Sequence, residues 1–170
     1  PKTMHFKELK EALKSPNFDI PDFEHYGTES QVVISFFSLF KSIEEGDTSV
    51  ENILKNALAI NEEFGLSDSG INESFIREFA REDVVISPMA AIFGGIGGQE
   101  AIKSVSSKFV PFQMFFTLSY TEALQPIDDP SFSVTIKNDR YDGYRLVFGD
   151  NQFEAMTNLK YFMVGAGAIG

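Results

Sequence analysis

Thr28-Glu-Ser-Gln-Val-Val-Ile-Ser-Phe-Phe-Ser-Leu-Phe-Lys-Ser-Ile43 is the stretch on which the fold turns. Val32, Val33, Ile34, Phe36, Phe37, Leu39 and Phe40 wrap most of a helix's circumference, the pattern of a helix buried among others. Glu45-Gly46-Asp47 ends it. The centre of a helical bundle is therefore expected here.

Working outward, Asp47, Thr48 and Ser49 offer caps for a further helix in which Val50, Ile53, Leu54, Ala57, Leu58 and Phe64 share a face. Gly65 is its natural terminator. A fourth helix follows Ser67-Asp68-Ser69, with Ile71, Phe75, Ile76 and Phe79 on its apolar side and Arg77, Glu78 and Arg81 in solvent. Upstream, Thr3 reads as an N-cap, and Phe6, Leu9 and Leu13 fall on one face before Ser15-Pro16 stops the run. Short polar loops between these helices predict a small four-helix bundle over residues 1–84.

After Asp83 the composition changes. Met89-Ala-Ala-Ile-Phe-Gly-Gly-Ile-Gly-Gly-Gln-Glu-Ala-Ile-Lys103 is helical in pattern, yet each glycine inside a helix costs about 1 kcal/mol relative to alanine. Close packing of another backbone on this face is the expected compensation. Phe112 to Tyr120 alternates apolar and polar residues as a strand does, Phe115 excepted. Gln125-Pro-Ile-Asp-Asp-Pro130 reads as a linker and places a boundary at about residue 130. Beyond it, residues 151–159 predict a short helix, and Tyr161 to Val164 form an apolar run typical of a parallel strand covered on both faces.

Composition bounds the function. Fourteen Lys and Arg against 25 Asp and Glu give a formal charge of -11, which argues against nucleic acid as a partner. The run from Val84 to Gly98 is shorter than the roughly 20 residues a membrane-spanning helix needs, so no membrane partner is expected. Cysteine is absent, which excludes a disulfide, a thiolate metal site or a thiol nucleophile within these residues. No basic stretch leads into an apolar one at the start, so a cytoplasmic or nuclear location is expected.

His5 and His25 have no second ligand at metal spacing, and Glu44-Glu45, Glu62-Glu63 and Asp128-Asp129 read as solvated edges. The remaining constellation is Lys160-Tyr-Phe-Met-Val-Gly-Ala-Gly-Ala-Ile-Gly170, an apolar run into G-x-G-x-x-G. Gly165, Gly167 and Gly170 are the candidate nucleotide loop, which by itself does not separate ATP, NAD and FAD. Such a loop needs a following helix to hold phosphates, so the chain is expected to be a piece of a larger nucleotide-using protein.

The order of motifs carries a family resemblance. Asp139-Arg-Tyr-Asp-Gly143, Val147-Phe-Gly149 and residues 160–170 resemble the start of the active adenylation half of eukaryotic ubiquitin-activating enzymes. Phe93-Gly-Gly, Gln99-Glu100, Lys103 and Ser106-x-Lys108-Phe109 resemble the last helix of the inactive half, and Phe112 to Leu124 the strand after it. Phe6-Lys7-x-Leu9, Pro16-x-Phe18 and Asp22-Phe23 are similar to the opening of the family's four-helix insertion.

The resemblance implies an α+β, mixed fold: a four-helix bundle (1–84), the C-terminal part of an inactive Rossmann-like adenylation domain (85–130), and the beginning of the active one (131–170). It implies that the parent protein uses Mg-ATP to adenylate the C-terminus of ubiquitin, transfers it to a catalytic cysteine and hands it to ubiquitin-conjugating enzymes. In this reading the chain is scaffold and pseudo-dimer interface, inactive alone, with Gly165, Gly167 and Gly170 beside the nucleotide and no catalytic or metal-binding residue of its own. Arg140, matching an arginine each half carries, is expected at the inactive half's vestigial site or in a local pair. Val105 and Ser107 depart from the resemblance, standing where many relatives have cysteine and glycine. Activation of another ubiquitin-like modifier and a non-catalytic helical interaction module are the alternative readings.

Overall fold

The computed structural model describes residues 3, 5–19, 27–80, 84–118, 120–126 and 128–167. The chain divides into two compact units, Pro1–Thr121 and Glu122–Gly170.

In the first unit, α1 (Leu9–Lys14), α2 (Glu29–Glu45), α3 (Val50–Phe64) and α4 (Glu73–Phe79) form the bundle. Its core joins Leu13, Val33, Ile34, Ile53, Leu54, Ala57, Ile60, Leu66 and Ile76, all less than one-tenth exposed. Ser49 caps α3 by accepting from the Asn52 N–H, and Gly46 and Gly65 close α2 and α3 in the left-handed conformation that glycine enters most readily. The helix expected after Ser67-Asp68-Ser69 is α4, capped by Asn72, whose side chain accepts from the Phe75 N–H. Thr3 is no cap: α1 starts six residues later, behind Glu8.

The centre of the bundle differs from the sequence expectation. Phe36 and Phe40 are about half exposed (46% and 53%), whereas Ser35, Ser38 and Ser42 are completely buried. Small side chains let α3 approach this stripe of α2. Their hydroxyls stay satisfied: Ser35 and Ser38 donate to the Gln31 and Ser35 carbonyls at 2.7 and 2.8 Å, and Ser42 accepts from Asn56 Nδ2 at 3.0 Å. Leu58, expected on the packed face of α3, is likewise exposed.

Buried amides fix the turn into α4. The Gln31 Nε2 donates to Ser67 Oγ and to the Gly70 carbonyl, and its Oε1 accepts from the Asn72 N–H. Asn61 brackets Ser67 from the other side, accepting from its N–H at 2.8 Å and donating to its carbonyl at 3.1 Å.

Two short parallel strands, β1 (Phe18–Asp19) and β2 (Phe115–Phe116), tie the beginning of the unit to its end, with Phe18 opposite Phe115. The strand expected over Phe112–Tyr120 shrinks to these two residues because β1, its partner among the described residues, offers only two. Between α4 and β2 runs α5 (Ser87–Ser106), with no buried residue. Ser107 ends it at φ 54°, a left-handed conformation that strains any residue but glycine.

The second unit is built on α6 (Asp142–Asn158), longer than the helix expected over 151–159. Gly149 breaks it at φ 74°, ψ 163°, and a Cβ there would meet the Phe132 ring at 3.0 Å. Glycine is thus required twice, by conformation and by space.

The expected Rossmann-like α/β part is not formed among the described residues. Tyr161, Phe162, Met163 and Val164 make no strand and are 69–94% exposed. A doubly covered parallel strand needs paired neighbours, and the described residues of this unit contain no other strand.

Candidate functional site

Two features merit description as sites: the segment around Arg140 and the open face of α5. In the first, Asp139 to Asp142 forms a tight turn into α6. The guanidinium at its centre is that of Arg145 and not Arg140. Arg145 is 4% exposed, holds both carboxylate oxygens of Asp139 at 2.8 and 2.9 Å, and also donates to Asp142. The Phe153 ring lies 4.8 Å from its central carbon.

Both acids work twice. Asp139 accepts from the Tyr141 N–H, and Asp142 from the N–H groups of Lys137 and Asp139. The Arg145 guanidinium and the Tyr141 N–H hold the Asp139 carboxyl below its ordinary range. For Asp142 the Lys137 N–H is the largest cause of the same shift, and the Asp139 carboxylate raises Arg145 in turn. Asp150 closes the other end by accepting from the N–H and hydroxyl of Thr135. Arg140 itself is exposed and stacks on the neighbouring Tyr141 ring at 4.8 Å, a local pairing.

On α5, ideal Cβ atoms built on Gly94, Gly95, Gly97 and Gly98 meet nothing within 4 Å. The close packing expected to offset their helical cost therefore has no partner among the described residues. Ala91, Ile92, Gly95, Ile96, Gln99, Glu100, Lys103 and Phe112 line a groove of about 480 Å³ along this face. Glu100 stands at its end, accepting from the Phe112 N–H at 2.7 Å and pairing with Lys103. Lys103 and the Phe112 N–H hold its carboxyl below the ordinary range.

Gly165 has φ 86°, Gly167 has open space where a Cβ would stand, and Gly170 lies outside the described residues. No strand leads into them among the described residues. Among the described residues no group of three or more His, Cys, Asp and Glu converges as a metal site. His5 is exposed; His25, Arg81, Asp22 and Phe23 lie outside the described residues. No helix of the described residues is long and apolar enough to cross a membrane.

Sequence reading missed Arg145 and Gln31. The signal for Arg145 was the three-residue spacing from Asp142, a helical ion-pair spacing. Gln31 carried no such signal, because its partners lie 36 to 41 residues away.

These features define a closed helical bundle, strapped by a strand pair, that carries one helix with an open small-residue face. Known proteins place it further. The profile of the ubiquitin-activating enzyme E1 four-helix bundle matches residues 1–46. Ubiquitin-activating enzyme E1 2 of Arabidopsis thaliana is 35% identical over 185 residues, covering 100% of this chain and 17% of its own length. Ubiquitin-activating enzyme E1 1 of Triticum aestivum (36% identical) and ubiquitin-like modifier-activating enzyme 1 of Oryctolagus cuniculus (30%) match with the same coverage. The chain belongs with the ubiquitin-activating enzymes, as a stretch spanning 17% of the length of these relatives.

Proposed function

We propose that this chain is the scaffold between the two adenylation halves of a ubiquitin-activating enzyme. The observation that carries the reading is α5: a 20-residue helix with no buried residue and four open glycines, in a chain aligned end to end with such enzymes. An apolar helix with a backbone this bare is suited to receive another helix at close range, and over four-fifths of each relative's length lies outside the match. Residues 1–84 are then the bundle, 85–130 the end of the inactive half and 131–170 the start of the active half. Gly165, Gly167 and Gly170 become a nucleotide loop where the whole protein supplies flanking strand and helix.

The activity proposed for the whole protein is ATP- and magnesium-dependent activation of ubiquitin, with ubiquitin and conjugating enzymes as partners, in cytoplasm and nucleus. This chain contributes placement and no chemical step. Ubiquitin-dependent exchange of pyrophosphate into ATP by the full-length protein, with other modifiers as controls and this chain as a blank, tests the reading. Exchange with ubiquitin and none from the blank is expected. Exchange only with another modifier reassigns the substrate, an outcome for which the rabbit relative's broader name leaves room. No exchange with any modifier overturns the activity.

The helical interaction module is favoured by one observation. Phe36 packs edge-on to Phe79 at 4.9 Å and lies 6.1 Å from Phe40, which leaves an aromatic cluster on the bundle surface. Loss of exchange on replacing Phe36 and Phe40 by serine, with the bundle still folded, would support that second role.

A further inference from the structure

Helix α5 buries nothing, so its orientation must be set by something other than a core. One path of contacts leads from it back to the bundle. Glu100 Oε2 accepts from the N–H of Phe112, twelve residues on, at 2.7 Å, while Oε1 takes the Lys103 ammonium. That ammonium sits 4.5 Å over the Phe112 ring, so both ends of Phe112 are gripped, backbone by Glu100 and side chain by Lys103. Phe112 in turn stacks on Phe116, with centroids 4.9 Å apart and planes 17° from parallel. Phe116 lies in β2, paired with β1, and its neighbour Phe115 packs on Phe37 of α2.

We infer that Glu100, Lys103 and Phe112 form a latch, with Glu100 as the positioning residue, that sets the angle of α5 against the strand pair and keeps the glycine face open. The geometry suits the task. A carboxylate accepting a backbone N–H is a strong, directional bond, and the Lys103 ammonium paired with it is the one that sits over the ring. Phe112 also walls the groove, so releasing it would alter the face that α5 presents. That the presented face receives a second adenylation half rests on the function proposed above; the latch itself does not.

The chain has no cysteine, so a spin label at Lys41→Cys on α2 and another at Val105→Cys on α5 report the distance across the first unit in the 170-residue chain. A narrow distribution is expected, broadened by Glu100→Ala, less broadened by Glu100→Gln, and broadened by Lys103→Met. Glu100→Gln keeps an oxygen for the Phe112 N–H but releases Lys103. Exchange of the Phe112 amide should rise roughly tenfold or more in Glu100→Ala, in line with the loss of a hydrogen bond to a charged group. The thermal melt of the bundle should not move, because Glu100 lies outside its core. An unchanged distance distribution in Glu100→Ala overturns the latch. So does broadening only in step with a loss of bundle helicity, which would make Glu100 a general stability residue; Lys103→Met then provides a variant with the Glu100–Phe112 bond intact. None of these readouts depends on ubiquitin activation, so failure of the latch and failure of the proposed function are told apart.

Discussion

Helices α2 and α5 both carry a stripe of small residues, with opposite outcomes. On α2 the stripe is Ser35, Ser38 and Ser42, all at 0% exposure, with Ser42 bonded to Asn56 of α3. On α5 it is Gly94, Gly95, Gly97 and Gly98, where, among the described residues, nothing beyond the helix's own backbone stands within 4 Å of where a side chain would begin. Small residues mark a place where backbones approach. In α2 the partner is α3 of this chain; for α5 none stands among the described residues, and the function proposed above puts it outside this chain. The bundle is consequently the part that should keep its structure alone, and α5 the part whose sequence is tuned to a neighbour.

The largest effect that would break this contrast is in the bundle core. Ile76→Ala empties a site of 0% exposure and should cost about 2–5 kcal/mol, read from the denaturant midpoint. An exposed α5 residue such as Val105, at 88%, should tolerate alanine with a change of no more than about 0.5 kcal/mol. Gln31→Leu comes next. It strands the Asn72 N–H and the Gly70 carbonyl inside the turn, at about 1–3 kcal/mol in the same measurement.

Gly95→Ala should run the other way, raising helicity and stability of the isolated chain by about 0.5–1 kcal/mol, because the new methyl meets nothing. The smallest effect is the response to acid. Glu45, held below its ordinary range first by Asn56 and then by Asn52, links α2 to α3. For a carboxyl lowered in the folded state the stabilisation is present above the unfolded pKa and is lost as pH falls from that value through the folded one. Melts between pH 7 and pH 3 should therefore be flat at the neutral end and decline at the acid end. A decline on raising the pH from acid to neutral would contradict that assignment.

Much of the bundle was legible because its signals are local. Ser49 before Val50 and Gly65 after Phe64 fix α3 from neighbouring residues alone. The inward face of α2 was not legible, since its phenylalanines outrank its serines on any hydrophobic scale and only the approach of α3 decides which side is buried. Nor was β1, two residues long and defined by a partner 97 positions away. The site divides along the same line. The small-residue run of α5 announced a packing face but could not say whose, and Gly165 and Gly167 announced a loop whose strand depends on neighbours that this unit does not supply. Arg145 gave only its spacing from Asp142; that it, and not Arg140, sits buried between the two acids is a property of the folded turn.

The central claim is that the glycine face of α5 is made for a partner outside this chain. Its most direct test is Gly95→Ala measured twice, as thermal stability of the isolated chain and as ubiquitin-dependent ATP–pyrophosphate exchange by the full-length protein. The account predicts a sign inversion: the substitution stabilises the chain and impairs the whole enzyme, because the methyl that meets open space here would meet a backbone there. Undiminished exchange by a well-folded full-length Gly95→Ala protein would contradict it.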